Sequence, residues 1–531
     1  MLFFSANGCS DTSFGNDLWD NVTSSKITSD KQITSFSING YKARISGTTV
    51  KSFLPLGTSV TALAPVITYN GAAISPESGV AQDFTNPVTY TVTATDGTTA
   101  VYTVSVTVLD AAGMANANLF SLIVKKGKLQ PGFSTSQTSY LDAPIPFSDS
   151  ANPAYNDKQS NSLIADPEIL IATITINGVV VENAEEYLIS NLAVGPNNIE
   201  IIVTAVNGST KKYNLNMYRA IPIFKTGAES YSGINEFEDG ATQRGVSWPN
   251  PRFTKNSDGT VFDIMTGLTW KTSEDKDTYD DAVKLSYNGT YRLPNLQEMR
   301  SLSNYSNKVN DYLSIAFSDY DKDKAYWTST LDNTGDGFYF KMISNVLSAT
   351  SNSNHYYYWK IKGKSKFLPA TGQTFTKFDG DDGKLQMGVV WPTPRFYTDE
   401  SGAVIDNMTS LMWFQKSYSG SQYNYIGLNN YYKNNLNKSE SGNYGFTDWT
   451  IPNVREIETL SNFGEDNILW LKNLTSGLFD VRKNNVVGNI VKIWTSTIDP
   501  GDSDSAYCYN TDLQATEIIS KTSSTCDTCI Q

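Results

Sequence analysis

Two stretches of this chain are near-copies, and that constrains its fold more than any other feature. Gly245-Val246-Ser247-Trp248-Pro249-Asn250-Pro251-Arg252-Phe253 returns as Gly388-Val389-Val390-Trp391-Pro392-Thr393-Pro394-Arg395-Phe396. At the same spacing Asp263 answers to Asp406, Thr266 to Thr409, Leu268 to Leu411 and Trp270 to Trp413. Further on, Arg292-Leu293-Pro294-Asn295 with Glu298 answers to Thr450-Ile451-Pro452-Asn453 with Glu456. Trp327-Thr328-Ser329-Thr330 answers to Trp494-Thr495-Ser496-Thr497. The offset grows between fixed landmarks, as expected of a duplicated domain whose loops vary while its core does not. The repeat is far too long for a solenoid. The spacing predicts two tandem domains, over 226–365 and 371–531.

Composition limits the class. The 531 residues are 12% aromatic and only 18% charged, with 37 glycines. Ser, Thr and Asn are the commonest residues and Ile, Val and Tyr are plentiful, a composition that favours strands over long helices. A net charge of −13 argues against a general nucleic-acid footprint. The single histidine, His355, argues against a Ser–His–Asp apparatus and a catalytic zinc site.

The N-terminal half alternates apolar and polar residues between turn signals. Val88, Tyr90 and Val92 lead to Asp96-Gly97, and Tyr102, Val104 and Val106 follow, a hairpin pattern. Residues 31–110 read as a β-sandwich that resembles bacterial Ig-like repeats. Residues 115–220, with Asn177-Gly178 and the alternating Ile199, Ile201 and Val203, resemble the cadherin-like β-sandwich family. Both are expected to act as spacers.

The ordered landmarks of the duplicated region resemble the Lcl C-terminal domain family, named for the collagen-like adhesin of Legionella. The resemblance covers both copies. It implies two C-type-lectin-like α+β domains after the N-terminal all-β sandwiches, and an adhesive function with sulfated glycans as ligand. From the residues themselves, Asp258-Gly259 predicts a hairpin turn, and Asp263 and Asp406 predict Asx turns. Asn295 with Glu298, and Asn453 with Glu456, predict capping boxes. Pairing Asp263 with Glu298 as acid and base is the weaker alternative, and no catalytic residues are expected.

Candidate binding residues follow. Arg252 and Arg395 could each grip a sulfate or carboxylate with both guanidinium arms; burial in an ion pair with a nearby Asp is the alternative. Tyr356, Tyr357, Tyr358 and Trp359 could stack on sugar rings, as could the Tyr- and Asn-rich stretch 418–437. Asp379, Asp381 and Asp382 form a weak candidate calcium loop, so calcium is the one cofactor considered, although its glycine spacing is wrong for an EF-hand. Cys508 could bridge to Cys526 or Cys529 in an oxidising compartment.

Residues 1–9 end in Ser5-Ala6-Asn7-Gly8-Cys9 and resemble the tail of a bacterial lipoprotein signal peptide. That resemblance implies a lipid on Cys9, a polar tether to about residue 30 and a place on the outer membrane, exposed at the surface. A free cysteine in a disordered leader is the alternative. The expected function is a cell-surface lipoprotein adhesin that binds extracellular or host-matrix glycans through its tandem domains. The alternative is a structural envelope protein that uses those domains for protein–protein contact or homo-oligomerisation.

Overall fold

The computed structural model describes residues 29–147, 159–229, 236–306, 312–342, 344–414, 424–434, 436–438, 445–464, 492–499, 502–510 and 515–522. They belong to two compact units, the first built on residues up to Ala117, the second on the strands from Asn118 onward.

The first unit is a β-sandwich of a three-stranded and a five-stranded sheet. Val88–Thr93 and Thr99–Val108 pair as the expected hairpin, with Gly97 at a φ of +82°. Asp96 accepts from the amide and hydroxyl of Thr98 and closes the turn. The inward residues of these strands, Tyr90, Val92, Tyr102 and Val104, are buried with Phe36, Ile38 and Val50.

The second unit opens with another sandwich, a six-stranded sheet beside a three-stranded one. The left-handed pair Asn177 and Gly178 turns Thr173–Ile176 into Val179–Val181. Gly195–Thr204 and Thr210–Arg219 pair over their full length. The last strand also pairs in parallel with Ser139–Ile145.

The same local structure then occurs twice. Phe253–Lys255, Val261–Asp263 and Leu268–Lys271 form an antiparallel sheet, and Phe396–Thr398, Val404–Asp406 and Met412–Trp413 repeat it in register. Each copy has a short helix with a complete capping box, Leu296–Arg300 capped by Asn295 and Glu298, and Val454–Glu458 capped by Asn453 and Glu456. Each also has a meander led by the Trp-Thr-Ser-Thr strand: Ala325–Leu331, Gly337–Lys341 and Val346–Thr350, then Lys492–Ile498, Ser505–Asn510 and Ala515–Ser520. Trp270, Trp327, Trp359, Trp413 and Trp494 are fully buried in these cores.

The two copies complete each other. A strap opens each copy, described over 226–229 and 236–245 in the first and over 371–388 in the second, and carries a buried aspartate at the start of a one-turn helix. Asp239 accepts from Thr226 in its own strap and, at 2.9 Å, from Thr497 in the second copy. Asp382 accepts from Thr371 in its own strap and, at 2.8 Å, from Thr330 in the first copy. Thr330 and Thr497 in turn accept from the first amides of the capped helices, Leu296 and Val454. Helix start, Trp-Thr-Ser-Thr strand and opposite strap are thus locked by one chain of hydrogen bonds on each side. The middle of the contact is equally dense. Arg300 faces Glu458 at 3.6 Å, Arg455 donates to the carbonyls of Arg300 and Ser303, and Tyr305 meets Tyr507 edge to face at 5.0 Å.

Burial pushes both strap carboxyls up from 3.8 to about 6, against the lowering effect of their threonine donors. A carboxyl whose folded value is raised stabilises the fold below the unfolded value and loses that contribution as pH rises through the folded one. Each should therefore cost about 3 kcal/mol of stability between pH 4 and 7. Urea unfolding of the wild type and of the Asp239→Asn, Asp382→Asn double variant should show a shallower fall over that window in the variant. Parallel pH curves would contradict the assignment.

Candidate functional site

The repeated arginines are core residues. Arg252 pairs with Asp263 through both guanidinium arms, at 3.0 and 2.9 Å, and donates to the carbonyl of Ser301. Arg395 pairs with Asp406 at 3.2 and 3.1 Å and donates to the carbonyl of Thr459. Trp248 and Phe253 cover the first guanidinium, and Trp391 and Phe396 the second, at 4.6 to 4.9 Å. Arg252 is 6% exposed and Arg395 4%, so the structure places them in an aromatic sandwich with their aspartates and not on a surface an anion can reach. Asp263 also accepts from the Met265 amide and the Thr266 hydroxyl, which makes the expected Asx turn. Glu298 is held by Arg292 and by its capping box. Neither carboxylate reaches solvent, which leaves acid–base chemistry no place for a substrate.

The other candidates divide. Trp359 and Tyr358 are buried. Tyr356 and Tyr357 are half-buried, the former packed on Tyr339 and Trp327 at 4.5 and 4.8 Å, the latter on Tyr326. The run is mainly a core wall, because it forms the strand beside Ala325–Leu331. The three calcium candidates point to different tasks. Asp379 is exposed, Asp381 caps its helix by accepting from Lys377, Phe378 and Lys384, and Asp382 turns into the core. No group of carboxylates among the described residues converges on a metal position. Cys508 is disulfide-bonded; Cys9, Cys526 and Cys529 lie outside the described residues, as does part of 418–437.

Two open features were not anticipated. The first is a lysine–tyrosine face on the first copy. Strand Lys360–Lys362 pairs with Leu268–Lys271 so that Lys271 stands opposite Lys360. Tyr291 lies under both Lys271 and Lys362, at 5.6 and 5.7 Å, and Lys364 and Lys366 continue the row, both exposed. Like charges directly across a pair of strands repel. Asp258 is near Lys362, its carboxyl held low chiefly by the Thr260 hydroxyl and amide. The sequence signal was the alternation Lys360, Lys362, Lys364, Lys366 in a chain with only 41 basic residues.

The second is a cavity of about 630 Å³ at the edge of the second copy, walled by Phe147, Ile223 and Arg244 on one side and by Leu411, Phe446 and Thr450 on the other, among others. A smaller one between the copies, about 50 Å³, has room only for water. The repeats differ at the wall of the large cavity. In the first copy Arg292 binds Glu298 from within the copy. In the second, Thr450 stands at that position, and Arg244 of the strap reaches over to bind Glu456 at 3.1 and 2.9 Å.

Three family profiles match parts of the chain: SGBP, N-terminal, over residues 33–106; the cadherin-like beta sandwich domain over 147–220; and the Lcl C-terminal domain over 402–530. The first falls on the segment read as Ig-like, and the Lcl match covers one copy. The comparison with curated proteins found no match. Among solved structures, a candidate glycoside hydrolase of Bacteroides thetaiotaomicron is 29% identical over 24% of this chain and 34% of its own, at a TM-score of 0.15. The chain thus spans about a third of that protein. The Yersinia pseudotuberculosis adhesin InvE is 12% identical over 62% of this chain and 98% of its own, with a TM-score of 0.13. Bacteroides ovatus SGBP-B, solved with a mixed-linkage heptasaccharide, is 9% identical over 62% and 99%, with a TM-score of 0.09. At these scores the likenesses carry no argument about this chain.

Removing one partner of a buried ion pair strands the other charge, at a cost of about 3–5 kcal/mol. Arg252→Ala and Arg395→Ala should therefore lower the denaturation midpoint sharply. A soluble variant with wild-type stability and altered ligand affinity would return these arginines to the binding site.

Proposed function

We propose that the chain is a cell-surface glycan-binding protein without catalytic activity, and that its lysine–tyrosine face contacts an acidic polysaccharide. The SGBP N-terminal match, a surface glycan-binding family, and the Lcl C-terminal match support the class. In this reading residues 226–365 are a second Lcl C-terminal-like copy, both copies are C-type-lectin-like, and the sandwiches are spacers. No helix among the described residues is long and apolar enough to cross a membrane. Attachment to the outer membrane is assigned to a lipid on Cys9.

One observation carries the ligand class: Tyr291 sits under Lys271 and Lys362, with Lys360 opposite Lys271, and Asp258 is the carboxylate that meets Lys362 among the described residues. A sulfated or carboxylated sugar supplies the missing anions, and the tyrosine offers a flat surface for the ring. The chain's net charge of −13 does not forbid this, because salt confines each charge's reach to about 8 Å at physiological strength. The adhesin reading and the choice between sulfate and carboxylate belong to the same proposal.

The test is titration of the whole protein with heparin, polygalacturonate and neutral dextran. The acidic polymers should bind and weaken as salt rises, whereas dextran should leave this face unoccupied. The Lys271→Ala, Lys360→Ala, Lys362→Ala triple variant should lose about tenfold or more in affinity, at roughly 0.5–1 kcal/mol per exposed charge. Equal affinity in wild type and variant would remove the face from the function.

A further inference from the structure

The cavity of the second copy differs chemically from the lysine face, and we infer that it is a subsite for a single pyranose of a neutral glycan; this rests on the glycan-binding reading above. Its volume of about 630 Å³ lies within the roughly 300–1,000 Å³ usual for small-molecule sites. It is formed where the sandwich module, the first strap and the second copy meet. Most of its wall is apolar, with Phe446 exposed at the rim and edge-on to Trp449 at 5.9 Å. An aromatic rim and aliphatic walls fit the C–H faces of a sugar ring.

The polar groups are few and placed for hydroxyls. Asp448 is exposed beside Phe446, Thr450 is half-buried, and the Ser410 hydroxyl is buried in the wall without a hydrogen-bond partner. The charges select against acidic sugars. The described lining carries two carboxylates, Asp448 and Glu456, against the one guanidinium of Arg244, which holds Glu456 through Nε and one Nη, so its net charge is negative. A sulfated or uronic ring would meet that negative lining at a disadvantage.

The first copy differs at the corresponding place. There Arg292 sends one arm to the carbonyl of Gly363 and bridges to Ile361, and strand Lys360–Lys362 lies along Leu268–Lys271. In the second copy Thr450 lacks that arm, and Leu411 and Met412 line the cavity instead. Arg244 restores the charge on Glu456 from another direction without refilling the volume.

The experiment is calorimetric titration of the full chain with maltohexaose, cellohexaose, laminarihexaose, mannohexaose and xylohexaose. At least one should bind. Phe446→Ala and Asp448→Ala alter exposed side chains and should leave the melting temperature unchanged, but should each weaken that sugar about tenfold. The Lys271, Lys360 and Lys362 variant should bind it as wild type does. Thr450→Arg, which imitates the first copy, should abolish binding. If no oligosaccharide of the panel binds while heparin still does, the cavity assignment fails alone. If neither binds, the glycan reading fails with it. Equal binding by wild type, Phe446→Ala and Asp448→Ala also overturns the assignment.

Discussion

The tandem depends on a reciprocal contact in which each half gives a buried carboxylate to a hydroxyl of the other. Asp239 reaches Thr497 and Asp382 reaches Thr330. A carboxylate taken out of water is costly unless hydrogen-bonded, and here each receives two hydroxyls, one from its own strap and one from across the contact. The same hydroxyls serve helix amides, so the bonds are linked in series. The two copies therefore share structure in a way that beads on a string do not. The exchange also sets Arg244 of the first strap against Glu456 of the other copy, where it completes an ion pair.

The repeated landmarks are building parts. Arginine, aspartate, two aromatic rings and a carbonyl make one compact cluster at the start of each copy, and a capping box makes the other. They recur because each core needs them. Open chemistry lies where the copies part. The lysine row has no counterpart at the matching place among the described residues of the second copy, and the cavity is lined by a threonine where the first copy has an arginine.

Much of the fold was legible from local rules. The hairpins at Asp96-Gly97 and Asn177-Gly178, the Asx turns at Asp263 and Asp406, and both capping boxes are decided by a few neighbouring residues. The buried tryptophans followed from alternation. The candidate binding residues were legible only as chemistry. Arg252 and the tyrosine run have the right groups for a sugar or a sulfate, but nothing local says whether a guanidinium meets solvent or an aspartate eleven positions away. The lysine row was visible as a period of two, and its pairing with Lys271 and Tyr291 was not.

The sequence by itself determined that there are two like domains, where their turns and helix starts fall, and which aromatic residues lie inside. Those features depend on spacing and on contacts between near neighbours. Only the tertiary structure decided that the copies exchange straps, that Arg244 serves Glu456 more than two hundred residues away, and that Thr450 lines a cavity. Each of these requires groups far apart in the chain to share one place, and no local preference encodes which distant partner a buried charge will find.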